Sequence, residues 1–204
     1  MASKIKVDQL ETADGTGTIA LQNQLSGLTT ASLPTVTTDK LGTGSILQVT
    51  NTTSSISGAI ATTSTSFTNT GLGTGTITPT ATGSKFYITM SGFIPHVNPN
   101  NGNYGGQWKM YRSIAGGSYA GVTSQTCDGG FHQTSGISVP WHEQNGYCSV
   151  FDSPSYTSGQ QLSYRLYYRE NSANTNGFYI HHQGGALQGT DSVACTITIM
   201  EIKG

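Results

Sequence analysis

The chain has 204 residues, of which only 9% are Asp, Glu, Lys or Arg, and its formal net charge is −1. This balance argues against nucleic-acid binding, which needs concentrated Lys and Arg, and no apolar run approaches the roughly 20 residues of a membrane-spanning helix. The 27 glycines and abundant Ser and Thr would suit disorder, but without a high net charge they favour a β-rich protein kept soluble by hydroxyls and amides.

The first stretch, residues 4–27, has too few apolar groups to close a core alone. Residues 4–10 alternate like a short half-buried strand, Asp14-Gly15 is a turn signal, and residues 19–28 suit either a strand or a short helix. We therefore expect a segment that becomes ordered by docking onto something else. Its apolar docking candidates are Ile5, Val7, Leu10, Ile19, Leu21 and Leu25.

The string KVDQLETADGTGTIALQNQLSG resembles the N-terminal segment that recurs in structural proteins of tailed phages of marine and freshwater bacteria, cyanophages in particular. In such proteins the segment precedes a variable β domain. The resemblance implies a virion component made in the bacterial host cytoplasm. It also implies that residues 1–45 form an extended docking arm and linker that contacts other virion proteins, whereas residues 46–204 form a head domain.

Residues 41–84 carry no charged side chain and contain several short, Thr-rich apolar runs separated by Gly, Ser or Asn. Such runs are typical of successive β-strands. Because exposed neutral strands risk pairing edge to edge, we expect this region to be covered, most simply by a partner subunit.

The strongest strand patterns follow, with a two-residue alternation over residues 85–91, 107–112, 162–169 and 193–200. Eight or more strands at this spacing predict an all-β fold, an antiparallel β-sandwich of jelly-roll type, over residues 46–204. Short strings near Ile46, Thr65, Ile77, Ser84 and Thr198 also resemble the β domains of phage fibre and head-decoration proteins, and this likeness implies a homotrimer.

The residues that could carry chemistry are few. The three cysteines form no Cys-x-x-Cys motif and are predicted to be buried thiols. The His181-His182 pair could place an imidazole on a threefold axis and hold a metal there, but a histidine without metal is the preferred interpretation. We predict no metal and no cofactor.

An enzymatic function is not favoured, because no pair of carboxylates stands out for glycoside hydrolysis and no Gly-x-Ser-x-Gly motif occurs. The carboxylates weighed are Asp128, Glu143, Asp152, Glu170, Asp191 and Glu201. A surface-polysaccharide hydrolase using Glu143 or Asp152 stays open as a third hypothesis. The segment Trp141-His142-Glu143 suits either acid–base chemistry or a tryptophan that plugs the end of the sandwich.

Two long polar connections, residues 96–106 and 125–144, carry aromatic rings next to Asn, Gln and His. Carbohydrate recognition uses such pairings, since rings pack on sugar C–H faces and amides bind hydroxyls. The alternative is that the loops pack on each other or on a neighbouring subunit. The candidates for binding a host-surface glycan are His96, Asn98, Asn103, Tyr104, Trp141, His142 and Tyr156.

The sequence therefore predicts a non-enzymatic virion structural protein with no nucleic-acid partner and no membrane insertion. The first hypothesis is a short trimeric tail fibre or attachment protein whose head contacts the host surface. The second is a capsid decoration (cement) protein that stabilises the head by added contact area. The two differ in copy number per particle.

Overall fold

A computed structural model describes residues 36–57, 60–97, 104–123, 127–133, 142–143, 145–171, 178–180 and 192–204. Within these residues the regular structure is one 3₁₀ turn, Thr38–Lys40, and fourteen strands. The strands are β1 (Ile46–Ser57), β2 (Ile60–Thr62), β3 (Thr68–Asn69), β4 (Gly75–Ile77), β5 (Lys85–Phe93), β6 (Pro95–Val97), β7 (Tyr104–Ile114), β8 (Ala120–Gly121), β9 (Gly129–Gln133), β10 (His142–Glu143), β11 (Gly146–Asp152), β12 (Leu162–Glu170), β13 (Phe178–Ile180) and β14 (Ser192–Ile202). The predicted docking residues, from Ile5 to Leu25, lie outside this part of the chain.

The strands form two main antiparallel sheets and a smaller one. The first sheet has the order β1-β14-β5-β11, and the second has β3-β12-β7-β8, with β4 also paired to β12 and β9 to β7. The small sheet has the order β10-β6-β13-β2. When the small sheet is read from β2 to β10, each strand is the chain neighbour of the strand at the same place in the first sheet. Strand β2 follows β1, β13 precedes β14, β6 follows β5 and β10 precedes β11. The small sheet thus continues the first sheet at one end.

Successive long strands alternate between the two main sheets. The chain passes from β1 to β3 and β4 in the second sheet, back to β5, across to β7, back to β11, across to β12 and finally to β14. The first and last strands are neighbours over nearly their whole length. This connectivity is that of a jelly roll, and the predicted all-β antiparallel sandwich is confirmed.

The core lies between the facing sides of the sheets, as the two-residue alternation predicts. On β12 the buried apolar residues are Leu162, Tyr164, Leu166 and Tyr168, and on β14 they are Cys195, Ile197 and Ile199. Strand β5 adds Phe86, Ile88 and Met90, and β7 adds Trp108 and Met110. A one-residue slip in any of these strands would turn its apolar side chains to solvent, so burial fixes the register.

Residues 37–45, assigned to the linker by sequence, belong to the same unit as the strands. The backbone N–H of Gly44 donates to the carbonyl of Lys203, and the N–H of Lys203 donates to the carbonyl of Ser45, at 2.8 and 2.9 Å. The Lys203 ammonium also donates to the carbonyls of Thr38 and Leu41, at 2.8 and 2.5 Å. These bonds fix the segment before β1 to the end of β14.

Candidate functional site

The two long connections that the sequence singled out meet at the small sheet. Strand β6, from the first connection, pairs with β10, from the second, so that His96 lies opposite Glu143 and His142 lies opposite Val97. Tyr104 begins β7 and lies opposite Gln133 of β9. Only the backbone of these residues is described. Asn98, Asn103, Trp141 and the His181-His182 pair lie outside the described residues, and glycan binding by these loops stays a prediction.

Tyr156 is the one glycan candidate whose side chain is described, and it contributes to the fold. Its hydroxyl accepts a hydrogen bond from the N–H of Ser84 at 2.9 Å and donates one to the carbonyl of Ala81 at 2.7 Å. Its ring meets Phe86 edge to face, with centroids 5.8 Å apart. The residue therefore fixes the turn before β5 to the loop after β11, and a role in glycan binding stays a prediction.

Three of the weighed carboxylates, Asp152, Glu170 and Glu201, are buried, and Asp152 and Glu201 are bound by protein donors. Both oxygens of Asp152 accept from Nη1 of Arg112, at 2.5 and 2.6 Å, and Oδ2 also accepts from the Tyr164 hydroxyl at 2.9 Å. Burial, and then the charge of Asp152, raise the pKa of Tyr164. The phenol therefore stays protonated and acts as a donor.

Glu201 of β14 lies on the same transverse line as Asp152, with Phe86 between them, and it is fully buried. Its carboxylate accepts from the N–H of Thr80 at 3.0 Å, the hydroxyl of Ser84 at 2.7 Å and the side-chain amide of Gln48 at 2.7 Å. Burial alone would raise the pKa of this carboxyl, but the hydrogen bonds together outweigh it and the pKa is lowered. Glu201 is thus an ionised anchor for the 80–84 turn.

Asp128, a third weighed carboxylate, supports the edge of β7, where Oδ2 accepts from the N–H of Met110 at 2.6 Å and Oδ1 from the Thr123 hydroxyl at 2.7 Å. The side chain of Glu143 and the whole of Asp191 lie outside the described residues. The carboxylates of Asp128, Asp152 and Glu201 therefore serve internal contacts in this fold.

The outer side of the second sheet carries a continuous row of aromatic rings with a guanidinium at each end. We call this the aromatic–arginine row. Tyr111 of β7 and Tyr167 of β12 stack with centroids 4.0 Å apart and an interplanar angle of 17°. The row comprises, in spatial order, Arg169, Phe67, Tyr111, Tyr167, Tyr119 and Arg165.

The outer members of the row extend the stack by contacts between loops and strands. Phe67 lies 6.0 Å from Tyr111, and Tyr119 lies 6.0 Å from Tyr167, between ring centroids. The guanidinium carbon of Arg169 lies 5.0 Å from the centroid of Phe67, and that of Arg165 lies 4.7 Å from the centroid of Tyr119. These are cation–π distances.

Hydrogen bonds hold both arginines in place. Arg165 donates from Nε to the Thr74 hydroxyl at 2.7 Å. Arg169 donates from Nε and Nη2 to the side-chain oxygen of Gln107, at 2.9 and 2.6 Å, and from Nη1 to the carbonyl of Thr65 at 3.4 Å. Burial raises the pKa of Tyr111, and so, to a smaller extent, does Tyr167, while Arg169 opposes them. The phenol of Tyr111 therefore stays protonated, and the row is a preorganised surface.

Sequence reasoning found part of this row. The alternation over residues 162–169 placed Arg165, Tyr167 and Arg169 on one side of a strand, and Tyr111 alternated with the buried Trp108 and Met110. Phe67 falls in a Thr-rich run, residues 65–68, that the sequence predicts as a strand, but in the structure it comes just before the short strand β3, and Tyr119 comes just before β8. The positions of these two rings over the sheet therefore had no local signal.

The outer side of the first sheet is different, because Lys85, at the start of β5, is the one charged residue among its described strand positions. One transverse line of paired residues across it is apolar: Val49, Met200, Tyr87 and Phe151. The next two lines are Asn51, Thr198, Thr89 and Ser149, and Thr53, Thr196, Ser91 and Tyr147. We call these twelve residues the neutral face. Phe151, Val49 and Tyr147 are 63%, 53% and 53% exposed.

Comparison with known protein families found no family that matches the chain, and comparison with curated proteins found no relative. Across the part of the chain that the structure describes, no helix has the length and apolar character to cross a membrane. The same residues contain no group of three or more His, Cys, Asp and Glu side chains suited to a metal ion.

Proposed function

We propose that this chain is a structural component of a tailed-phage virion, a short trimeric tail fibre or attachment protein whose β-sandwich head contacts the host surface. Residues 1–45 would carry the docking to other virion proteins, as the resemblance of the N-terminal segment implies. The proposal is of an assembly and binding protein with no catalytic step.

The observation that carries the proposal is the neutral face. Exposed apolar side chains grouped on one surface are typical of interaction sites, and here Phe151, Val49 and Tyr147 are each more than half exposed. A partner for this surface must also be uncharged, because a charge buried without a counter-charge costs several kcal/mol. A second and a third copy of this chain offer such a surface, whereas the outer side of the second sheet carries Lys109, Arg165 and Arg169.

The size of the neutral face indicates how much of an interface it can supply. Four strands about 4.8 Å apart and three lines of residues along them cover roughly 400 Å². A stable interface buries about 800 Å² on each partner. The neutral face thus accounts for about half of what an assembly needs, and the proposed arm is the natural source of the remainder.

A capsid decoration protein is the second candidate, because the same uncharged surface would also suit burial on a capsid. The two functions separate by stoichiometry. A fibre is present in a handful of copies per particle and a decoration protein in hundreds, so quantitative mass spectrometry of purified particles against a major capsid protein distinguishes them.

The test of assembly is the molar mass of the full chain in solution, measured by light scattering. We expect the mass of three chains for the wild type and a shift toward one chain for Phe151→Glu, which places a charge in the apolar line. Gln161→Glu is the matched control, since Gln161 is exposed and lies outside the neutral face. A monomeric wild-type chain, or a Phe151→Glu variant that still forms the trimer, would contradict the proposal.

A further inference from the structure

Positive charge is concentrated on the outer side of the second sheet. The chain has three arginines; Arg112 is paired with the buried Asp152, and the other two, Arg165 and Arg169, both lie in the aromatic–arginine row. Lys109 lies on the same side of β7, its stem packed beneath Gly121, where an added Cβ would come 2.8 Å from Lys109 Cε. None of the six residues in the row is acidic, so the row itself carries two positive charges in a chain of net charge −1.

Hydrogen-bonding capacity on this surface is not used up by the fold. Arg165 bonds within the protein through Nε alone, which leaves its terminal nitrogens Nη1 and Nη2 unused by the described residues. The described residues likewise make no hydrogen bond to the hydroxyls of Tyr111, Tyr119 and Tyr167. Each phenol can both donate and accept. The row thus offers alternating donors and acceptors between two fixed cations.

From this arrangement we propose that the aromatic–arginine row binds a linear oligosaccharide that carries carboxylates, such as a chain of uronic acids. The terminal nitrogens of Arg165 can bind a carboxylate in a planar, two-point geometry, Arg169 adds a second positive charge, and the phenol hydroxyls suit the sugar hydroxyls between them. Arg165 and Arg169 are four residues apart on β12, about 13 Å along the strand at 3.3 Å per residue. The spacing favours a ligand with repeated charges over a single small anion.

A single-stranded nucleic acid would also bring repeated negative charges, but the rings argue against it. Base recognition without sequence preference relies on free aromatic faces on which bases stack. In this row Tyr111 and Tyr167 cover each other, and the guanidinium groups of Arg169 and Arg165 lie over Phe67 and Tyr119. The surface therefore offers ring edges, hydroxyls and cations more than open faces.

The biological meaning of such a ligand, as part of a host surface, rests on the proposed function, whereas the binding itself does not. A test in solution on the purified full chain therefore separates the two. The probe is oligogalacturonate, and the matched neutral ligand is the same oligosaccharide fully methyl-esterified, measured by titration calorimetry at low and at raised salt. We expect binding of the acid form that weakens with salt, and at least about tenfold weaker binding of the ester.

The variants are Arg165→Gln and Arg169→Gln. Each is expected to raise the Kd by about tenfold or more, which corresponds to a loss of about 1.4 kcal/mol of binding free energy. The double variant Tyr111→Phe/Tyr167→Phe keeps the stacked rings and removes two hydroxyls, so it should weaken binding while leaving the thermal midpoint near the wild-type value. Lys85→Gln, an exposed lysine on the first sheet, is the control and should bind like the wild type.

The proposal is overturned by any of three results: no binding of oligogalacturonate, equal binding of the acid and its ester, or full binding by both arginine variants. Tighter binding of an oligothymidylate than of the saccharide would also overturn it in favour of nucleic acid. If the chain proves absent from virions and the arginine-dependent binding persists, the site stands and the proposed function fails.

Discussion

The hydroxyl of Tyr164 lies 2.9 Å from Oδ2 of Asp152, inside the sandwich and beside the Nη1 of Arg112. The three side chains join β7, β11 and β12, so one ion pair connects both main sheets. We expect Asp152→Ala to lower the free energy of unfolding by about 3–5 kcal/mol, because it leaves a largely buried guanidinium without its counter-charge. Urea denaturation followed by tryptophan fluorescence measures the change.

The matched comparison for this pair is the double variant Arg112→Met/Asp152→Ala. Removing both charges should cost less than the sum of the single changes Arg112→Met and Asp152→Ala, since residues in contact are not additive. Strict additivity would mean that the pair does not act as a unit.

Glu201 should make the stability of the domain depend on acid. Hydrogen bonds lower its pKa below the ordinary value of 4.5, so its stabilising effect is fully present above the pKa of the unfolded chain. It is lost as the pH falls through the lower, folded pKa. Glu201→Gln should lower the free energy of unfolding at pH 7 by about 1.5–3 kcal/mol and should flatten the loss of stability on acidification.

Asp39→Asn is the control for the acid effect, because the Asp39 side chain is 70% exposed. Its unfolding free energy should follow the wild-type pH profile. If the free energy of unfolding of Glu201→Gln falls with acidification as steeply as that of the wild type, other groups govern the loss of stability at low pH.

The cysteines should differ in reactivity. Cys148 and Cys195 are buried free thiols, and burial raises both of their pKa values, that of Cys195 to about 12. Because the thiolate is the reactive form, a thiol reagent at pH 8 should label only the partly exposed Cys127 in the folded protein. The other two should react on unfolding in urea, and Cys127→Ser should abolish the fast reaction. Three fast thiols would contradict the buried positions.

Gly75 marks the closest approach of β4 to β14. A Cβ added there would come 2.6 Å from Cγ2 of Ile197 and 3.1 Å from Cδ1 of Ile199. Gly75→Ala should therefore overpack the core and cost about 1–3 kcal/mol. Gly42→Ala is the control, since no atom lies within 4 Å of its added Cβ, and thermal melting of the two variants gives the comparison. Equal melting temperatures would show that β4 can move away without cost.

Removal of residues 1–27 should leave a soluble β domain. The described strands close their core within the Thr37–Gly204 unit, and residues 38–45 keep their bonds to Lys203. We expect a melting temperature within a few degrees of the full chain, together with loss of incorporation into particles. Unfolding of the truncated chain would contradict the division into two parts.

The strand faces could be predicted from the sequence where one side of a strand is buried. Along residues 162–169 the alternation predicts that Leu162, Tyr164, Leu166 and Tyr168 face inward. It predicts that Ser163, Arg165, Tyr167 and Arg169 face outward, and the structure agrees. Side chains alternate between the two sides of a strand. When only one side is apolar, a single pairing register buries that side.

The partners of the buried polar groups could not be predicted in this way. Glu201 binds Thr80, which lies 121 residues earlier in the chain, and no local pattern connects a turn to a strand at that distance. The Lys203 contact with Thr38 is of the same kind, so residues 37–45 resembled a linker. Phe67, predicted within a strand, and Tyr119 join the aromatic–arginine row from irregular segments just before β3 and β8, where side-chain direction has no period.

The place of β14 in the first sheet bears on how the protein is made. Ile199 lies opposite Thr50 on one side and opposite Ile88 on the other, so the strand that joins β1 to β5 is synthesised after all the other described strands. Until it emerges, both waiting strands expose unpaired backbone edges to other nascent chains. Closure of the first sheet therefore waits for β14 and is limited by a long-range pairing.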